Sequence, residues 1–418
     1  MPDQLSIQDS GFIPYRTHDV VEMCLQDNLL PAQETQFRHL NDMLGSIYHF
    51  EFHKTIEALK DAYAPIDPDA DTRLLAAAKH SSSLNSDVNL IELLQALLEK
   101  ANYKRVSEVD LNQAMNKSSV FKIRLHVDFD DFSEALLFCR GEAVRRETVP
   151  RWFGLSSKEV EFINYERVVV YIRFKNDYER TSQQLPACKP GSTLLKLFQN
   201  VPKADLEMLF PNTRVRMRTI DKLLIGVPAV VSGGIVLTTK LGASLVLLGS
   251  LFGFWLGLSS QPVELNKAAL IALLAGLVAV GSYLWKQFNN FKNRKLRFMQ
   301  TLTQNLYFKN LDNNAGVFYR LANDAEEEEC KEAILAYYFL LTAQQPILKH
   351  ELDKKIEAWL TTKWKCEVNF EIDDALEKLI ELGLVQKSNG KFTAINIEEG
   401  IKVLDRRWDE YFRPSASK

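Results

Sequence analysis

Cysteine, net charge and familiar catalytic motifs are scarce in this sequence of 418 residues. Its five cysteines are odd in number, include no C-x-x-C pair and are widely spaced: Cys24, Cys139, Cys188, Cys330 and Cys366. This spacing is not typical of a zinc ribbon or a disulfide scaffold, so we expect reduced thiols. A net charge of −3 gives no overall attraction for nucleic acid, and we expect none as a partner.

Signatures of common enzymes and of export are also missing. There is no Walker A loop, no dinucleotide-binding fingerprint and no nucleophile elbow, so no cofactor and no catalytic residue is predicted. The first residues, MPDQLSIQDSGFIPYR, have neither the charged-then-apolar layout of a signal peptide nor the acid-poor composition of a transit peptide. We therefore expect residues 1–200 not to be exported.

Two histidines form a weak metal-binding pattern. His49 and His53 in HFEFH are four residues apart on a predicted helix, a spacing that lets two imidazoles share a metal ion. Glu51 takes the third position of the pattern instead of the second, so this is not H-E-x-x-H. We favour the alternative, in which both histidines lie on the helix surface or in the core.

The acidic stretch DPDAD is a second weak candidate. Asp67, Asp69 and Asp71 resemble the first ligands of an EF-hand loop. However, Thr72 takes the place of its glycine, and Ala78 takes the place of its bidentate glutamate. A capped turn is the better interpretation.

A further acidic stretch, VDFDDF, contains Asp128, Asp130 and Asp131. These residues are a candidate carboxylate site. The interpretation that we favour is that they are strand-end acids next to a capped helix.

Hydrophobic periodicity divides the chain into four regions. Residues 1–118 place apolar residues at three- and four-residue spacing, as helices do, whereas VFKIRLHVDF and RVVVYIRFK within 119–212 alternate as strands do. Residues 213–298 hold the long apolar runs, and 299–418 return to a helical pattern. The predicted fold is an α+β membrane protein with a helical and then α+β N-terminal region, a transmembrane helical hairpin and a winged-helix-like C-terminal domain.

The C-terminal region has the element order of a winged helix. The acidic run Glu326 to Glu329 is predicted to open the first helix, KEAILAYYFLLTA. Two more helices, ILKHELDKKIEAWLTTKW and EIDDALEKLIELGLV, precede a hairpin that turns at Asn389-Gly390. The third helix carries five carboxylates against Lys378 alone and would repel a DNA duplex, so a protein-interaction role is favoured.

Two uncharged apolar segments, 241–258 and 268–285, are each long enough to cross a bilayer as a helix. The polar connection SSQPVELNK between them predicts a transmembrane helical hairpin. A third segment, 223–239, is interrupted by Pro228 and a pair of glycines, and we expect it to lie in the interface or to be re-entrant. Three spans are the alternative.

Basic residues flank this region on both sides: Arg214, Arg216, Arg218, Lys222, Lys286, Lys292, Arg294, Lys295 and Arg297. Cytoplasmic loops carry an excess of Lys and Arg, so both flanks are predicted to be cytoplasmic and to contact anionic lipid. Small residues recur every four positions in the two spans, which favours close helix packing in the membrane: Gly249, Gly253, Gly257, Ala268, Ala272 and Gly276.

Five blocks of the sequence resemble a known family: FIPYRTHDVVEMCL, FEFHKTIEALKDAYAPIDPDADT, VDFDDFSEALLFCRGE, KLFQNVPKADLEMLFP and RRWDEYF. Together they extend over most of the chain, and the sequence is similar to the transmembrane protein 143-like family of unknown function (domain of unknown function 3754). The resemblance implies an integral membrane protein with two spans and no established activity. It supplies no catalytic residues.

The sequence thus predicts a multi-pass membrane protein of a bacterial inner membrane or, in a eukaryote, of an organelle membrane. We expect a membrane-anchored protein-interaction or scaffold module with both soluble regions cytoplasmic. The alternatives are a membrane-bound enzyme with an acidic metal-dependent site and a small oligomeric channel. The expected partners are the lipid bilayer, proteins that bind the soluble regions and a further copy of the chain.

Overall fold

The computed structural model of the chain describes residues 11–69, 86–107, 124–151, 156–178, 190–216, 249–250, 252–257, 267–343 and 345–411. Contacts between residues group the chain into two compact units. The first unit comprises Met1–Lys117, Val127–Asn212 and Lys309–Lys418, and the second comprises Ser118–His126 and Thr213–Phe308.

The helices are, in chain order, α1 (Thr17–Leu25), α2 (Glu34–Tyr63), α3 (Ser86–Lys100), α4 (Lys267–Lys309), α5 (Ala315–Leu341), α6 (Lys349–Trp364), α7 (Ile372–Glu381) and α8 (Ile397–Glu410). The strands are β1 (Lys104–Arg105), β2 (Arg124–His126), β3 (Phe132–Arg151), β4 (Ser156–Phe174), β5 (Thr193–Pro202), β6 (Arg214–Arg216), β7 (Asn310–Asn313), β8 (Ile347–Leu348), β9 (Val385–Ser388) and β10 (Lys391–Ala394). The fold is therefore mixed α/β.

The main sheet of the first unit is antiparallel, with the order β1-β3-β4-β5-β7. In β4, all residues from Val168 to Ile172 are buried, which requires cover on both faces because successive side chains point to opposite faces. Val169 and Tyr171 belong to the large apolar core that the helices share. The three-ten helix Lys203–Leu209 also packs against β4 and β5.

The sequence predicts a helix beside the acids of VDFDDF, and this prediction is wrong. The structure has only the three-ten turn Phe129–Asp131 there, followed at once by β3. Strand β3 pairs with β4 along its length, from Phe132 opposite Phe174 to Arg151 opposite Ser156. This long-range pairing overrides the local helix propensity of SEALLF.

Helix α5 is the centre of the first unit. Every residue from Glu328 to Leu340 is buried, and α1, α2, α3, α6 and α7 all pack against this helix. A helix that is covered all round is typical of a core. The predicted start at the acidic run Glu326–Glu329 is wrong, because the helix begins at Ala315 and the acids lie in its middle.

The predicted C-terminal helices and hairpin are present in the first unit. The small sheet has the order β8-β10-β9, and α6 and α7 lie between β8 and β9 in the chain, as in a winged helix. Asn389 and Gly390 have φ values of 52° and 77°, which a two-residue type I′ turn requires. Ile372, Ala375 and Leu379 of α7 are buried on one face, so its acids occupy the other.

The second unit contains α4 and the antiparallel pair β2-β6. The predicted span 268–285 forms only the first part of α4, which continues without a break to Lys309. Within the predicted span 241–258, the described helical residues end at Trp255, before Gly257 with its φ of 73°. The rest of that segment and the stretch 223–239 lie outside the described residues.

No helix in the part of the chain that the structure describes combines the length and the apolar character needed to cross a membrane. The predicted transmembrane hairpin, and with it the membrane part of the fold class and the multi-pass membrane localisation, is therefore wrong. The prediction counted apolar residues in windows of one span length.

Candidate functional site

A cluster of charged side chains is buried on α5, inside the first unit. Glu328 and Lys331 are each only 1% exposed, and Lys331 Nζ donates to Glu328 Oε1 at 2.7 Å. Both side chains also bind the backbone of Ile13: Lys331 Nζ donates to its carbonyl at 2.8 Å, and its N–H donates to Glu328 Oε2 at 3.2 Å. Burial raises the pKa of Glu328, and Lys331 and Arg140 oppose that rise.

Arg140 of β3 extends this cluster. Its Nη2 lies 3.0 Å from Asp324 Oδ2, and its guanidinium lies 4.4 Å from the ring centroid of Phe12. The hydroxyl of Tyr103 donates to the same Asp324 oxygen at 3.0 Å, and burial raises the pKa of that phenol. The charged groups of this cluster therefore hold the segment around Ile13 against α5.

The remaining acids of the buried run also have partners. Glu329 is 2% exposed and forms an ion pair with Lys378 of α7. Glu332 is 3% exposed, and its Oε1 accepts a hydrogen bond from Asn102 Nδ2 at 3.0 Å. These contacts join α5 to α7 and to the end of α3.

Asn102 is positioned by the way in which α3 ends. Its φ of 57° is left-handed, the N–H of Tyr103 donates to the carbonyl of Leu98 at 2.9 Å, and the N–H of Asn102 donates to Glu99. This is a Schellman motif, in which Asn is one of the few residues that tolerate the left-handed position. The amide of Asn102 also donates to the carbonyl of Gly11 at 3.1 Å, so it bridges the N-terminal segment and Glu332.

Above Asn102 lies a half-open cleft of about 410 Å³, which we call the α7 cleft. Its lining combines Gly11, the end of α3, the residues after α3 and the start of α7: Gly11, Ala96, Glu99, Lys100, Asn102, Tyr103, Lys104, Glu371 and Asp374. A Cβ atom added to Gly11 would lie 3.1 Å from Glu371 Oε1. Glycine at this position therefore leaves room for the Glu371 carboxylate.

The electrostatics of the α7 cleft are dominated by carboxylates. Burial raises the pKa of Glu332 well above its usual range, and the carboxylates of Glu371 and Asp374 add to the rise, whereas the hydrogen bond from Asn102 opposes it. Burial also raises the pKa of Glu371, with a further contribution from Asp374, and Lys104 opposes this effect. Burial is therefore the main reason why ionisation of Glu332 and Glu371 is disfavoured, and the neighbouring carboxylates add to it.

Lys100 and Lys104 also line the α7 cleft, and Lys104 acts on Glu371 at longer range, but two acids of the cleft form no ion pair within the described ranges. Glu371 and Asp374 form no ion pair there, although each lies beside other carboxylates. Chemically, this arrangement suits a guanidinium or ammonium group that enters the cleft and donates hydrogen bonds to both acids. Among the described residues no group of three or more His, Cys, Asp and Glu side chains is arranged to hold a metal ion.

The two histidines that the sequence singles out lie on the surface of α2. His49 Nδ1 lies 2.9 Å from Glu326 Oε2 of α5, and the His49 side chain is 76% exposed. His53 lies one turn further along α2 and is exposed. Both histidines are on the helix surface, and they form no metal cluster within the described part of the chain.

The acids of DPDAD serve a turn after α2. Asp67 Oδ1 accepts a hydrogen bond from the N–H of Asp69 at 3.0 Å, and Asp69 binds the side-chain amide of Asn314. Asp71 lies outside the described residues. These contacts are those of acids that cap a turn.

The acids of VDFDDF are likewise bound by their surroundings. Asp128 Oδ1 accepts a hydrogen bond from the N–H of Asp130 at 3.3 Å, and Asp131 Oδ2 accepts one from Asn212 Nδ2 at 2.9 Å. They stabilise the three-ten turn before β3, and within the described ranges they belong to no group of His, Cys, Asp and Glu that could hold a metal ion.

The predicted lipid-contacting and membrane-packing residues belong to the second unit. Arg214 and Arg216 lie on β6 opposite His126 and Arg124, and the described residues around Gly249, Gly253 and Gly257 leave open space where a Cβ would be. The others lie on α4 or outside the described residues: Lys286, Lys292, Arg294, Lys295, Arg297, Ala268, Ala272 and Gly276 on α4, and Arg218 and Lys222 outside. Their proposed roles depended on the membrane prediction, so no site is assigned to them.

Comparison with known proteins gives a domain but no activity. Residues 165–316 match a family described as a protein of unknown function (DUF3754). The wider resemblance to the transmembrane protein 143-like family is not confirmed. No solved structure matches the chain. The matched residues include the second half of β4 and all of β5, β6, α4 and β7, whereas the residues that line the α7 cleft lie outside the match.

Sequence reasoning found part of the α7 cleft and missed the rest. The acidic face of the third C-terminal helix is visible in the sequence, and it includes Glu371 and Asp374. Gly11 and Asn102 gave no signal, because their role depends on distant contacts: Asn102 binds Gly11 across 91 residues and Glu332 across 230 residues. The only local hint was that Asn102 stands near the end of the helical stretch VNLIELLQALLEKANY, where a left-handed cap is common.

Proposed function

We propose that the chain is a protein-interaction module whose α7 cleft binds a cationic side chain of a partner protein. The observation that supports this most strongly is the contrast in partners between two sets of acids. The buried acids of α5 are paired with lysine, arginine or amide groups, whereas Glu371 and Asp374 face the cleft and form no ion pair among the described residues, although Lys100 and Lys104 also line it.

The partner chemistry follows from the charge and from the shape of the surface. Next to the cleft, the exposed face of α7 continues with Asp373, Glu377 and Glu381. Asp373 and Glu381 form exposed ion pairs with Lys349 and Arg407, whereas Glu377 forms none among the described residues. Exposed ion pairs are weak, so this face still attracts a segment with Lys or Arg residues and speeds its encounter. It also repels phosphate, which argues against the major-groove role that a winged-helix third helix often has.

The cleft is large enough for one long side chain. Its volume of about 410 Å³ admits a lysine or arginine stem, with the head group at Glu371 and Asp374. Arginine fits better than lysine, since its planar fork binds two carboxylate oxygens at once. A partner segment would thus place one arginine in the cleft and further cations along α7.

The test is the binding of a fluorescein-labelled hexa-arginine peptide to the full chain, followed by fluorescence anisotropy. We expect Asp374→Lys to weaken binding about tenfold or more, which corresponds to about 1.4 kcal/mol. The matched control is Asp42→Lys on α2, another exposed aspartate that lies outside the cleft. It should change the Kd less than about twofold, since a distant surface charge is screened.

The pH dependence gives a second readout. Because the pKa of Glu371 is raised, a larger share of this carboxyl is protonated in mild acid than for an ordinary glutamate. Binding of hexa-arginine should therefore tighten as the pH rises from 5 to 7, and Glu371→Gln should reduce this dependence. Equal losses in Asp374→Lys and Asp42→Lys would mean general attraction to an acidic protein, and the proposal would then fail.

A further inference from the structure

The end of α8 forms a second recessed surface, with the opposite charge. We call it the α8 groove, a space of about 510 Å³ that is lined by Lys54 of α2 and by Arg406, Arg407, Glu410 and Tyr411. Four of these residues belong to the sequence block RRWDEYF, and none of them lines the α7 cleft. The α8 groove is therefore a separate surface.

Two of its three cations are available to a ligand. Arg407 donates to the backbone carbonyl of Glu381 at 2.9 Å and to the Glu381 carboxylate at 3.0 Å, so its charge is already balanced. Arg406 and Lys54 are exposed and form no ion pair with a residue of the described ranges. Glu410 is the one acid of the lining, which leaves an excess of positive charge.

Aromatic rings stand beside these cations. The ring centroid of Phe50 lies 5.9 Å from that of Trp408 and 4.2 Å from that of Tyr411, and Lys54 Nζ lies 4.3 Å from the Tyr411 centroid. Trp408 remains 42% exposed. Trp, Tyr and Arg side chains contribute most of the energy at protein interfaces, because rigid rings and planar guanidinium groups lose little entropy on binding.

We propose that the α8 groove binds an acidic, extended segment of a partner protein. Carboxylates of this segment would lie against Arg406 and Lys54, and an apolar side chain would cover Trp408. A free inorganic anion would leave the tryptophan exposed. A nucleic acid is disfavoured because its affinity depends on many phosphate contacts, whereas the groove offers two available cations, Arg406 and Lys54.

This proposal does not depend on the function of the α7 cleft, which has the opposite charge and different residues. Its test uses the full chain and a fluorescein-labelled peptide of four glutamates around one leucine, with binding followed by anisotropy. We expect saturable binding that Arg406→Glu and Lys54→Glu each weaken about tenfold or more. Trp408→Ala should weaken it about threefold or more, because the apolar contact is lost.

The control is Lys402→Glu, which reverses an exposed charge on the same helix outside the groove and should change the Kd less than about twofold. Several results would overturn the proposal. These are equal losses in Lys402→Glu and Arg406→Glu, complete displacement of the peptide by millimolar inorganic phosphate, and tighter binding of a single-stranded oligonucleotide than of the peptide. A dimer that Arg406→Glu dissociates would identify the occupant as a second copy and would overturn it as well.

Discussion

Helices α5 and α7 each carry a dense set of acids, and the structure treats the two sets in opposite ways. On α5, Glu328, Glu329 and Glu332 are almost fully buried, and each has a partner that donates a hydrogen bond or carries a positive charge. On α7, Asp374 and Glu377 are exposed and have no ion-pair partner among the described residues.

This difference in burial and pairing distinguishes acids with a structural role from acids that are available to a ligand. An unpaired charge in a core costs several kcal/mol, so acids can be buried only where partners satisfy them. An exposed acid has no such requirement, because water solvates it. Unpaired acids that line a cleft, such as Asp374, are therefore better candidates for binding than the more conspicuous run of glutamates on α5.

The largest expected loss of stability comes from disrupting the buried ion pair of α5. Lys331→Met removes the cation that binds both Glu328 and the carbonyl of Ile13. The Glu328 carboxylate then loses its nearest partner while it stays buried, and the free energy of unfolding should fall by about 3–5 kcal/mol. Urea denaturation at neutral pH measures this change.

Lys354→Met is the matched control for that experiment, since it removes an exposed lysine from α6. It should change the free energy of unfolding by less than about 0.5 kcal/mol. If both variants unfold at the same urea concentration, the ion pair of Lys331 and Glu328 contributes nothing measurable. The contrast between buried and exposed acids would then lose its energetic basis.

The next prediction concerns pH and Glu332. Its pKa is raised by burial, so the folded state holds a proton that the unfolded state releases above its own, ordinary pKa. The stability that this proton contributes is complete below the unfolded pKa of about 4.3 and is lost as the pH rises toward the folded value. Glu332→Gln does not titrate and keeps an acceptor for Asn102, so it should become more stable than the parent as the pH rises.

The difference between Glu332→Gln and the parent should grow by up to about 1.4 kcal/mol per pH unit above the unfolded pKa and vanish near pH 4. Unfolding by urea at several pH values measures it. Glu377→Gln, an exposed acid of α7, is the control and should follow the parent at every pH. A variant of Glu332 that is less stable than the parent at pH 7 would mean that this carboxyl is ionised in the folded state.

The comparison also explains how much the sequence could predict. The hairpin could be predicted from local sequence, because Asn389-Gly390 favours a tight turn by itself. The amphipathic helix α7 could be predicted as well, because Ile372, Ala375 and Leu379 follow helical spacing. The acidic face of α7 was predictable for the same reason. These features depend on neighbours within a few residues.

The buried cluster could not be predicted in this way. In the sequence, the run Glu326–Glu329 followed by Lys331 is indistinguishable from a solvated helix start, because its partners are distant: Ile13 is 318 residues away from Lys331. The membrane prediction failed for a related reason. It relied on apolar composition alone, whereas no helix in the described part of the chain combines the length and apolar character needed to span a membrane.

The smallest expected change in stability concerns an exposed ion pair of α7. Lys349 of α6 and Asp373 of α7 form an ion pair at 2.7 Å, yet their side chains are 48% and 76% exposed. Lys349→Ala should lower the free energy of unfolding by at most about 1 kcal/mol, since water and salt screen the pair. In 1 M NaCl this difference should largely disappear, because the screening length falls to about 3 Å.

A double-mutant cycle separates the pair from other effects of the substitutions. The coupling energy of Lys349→Ala with Asp373→Ala should be about 0.2–1 kcal/mol, and that of Lys331→Met with Glu328→Gln should be larger and insensitive to salt. Equal coupling energies in the two cycles would show that burial does not distinguish the two sets of acids. The assignment of the α7 acids to a ligand would then need support from peptide binding alone.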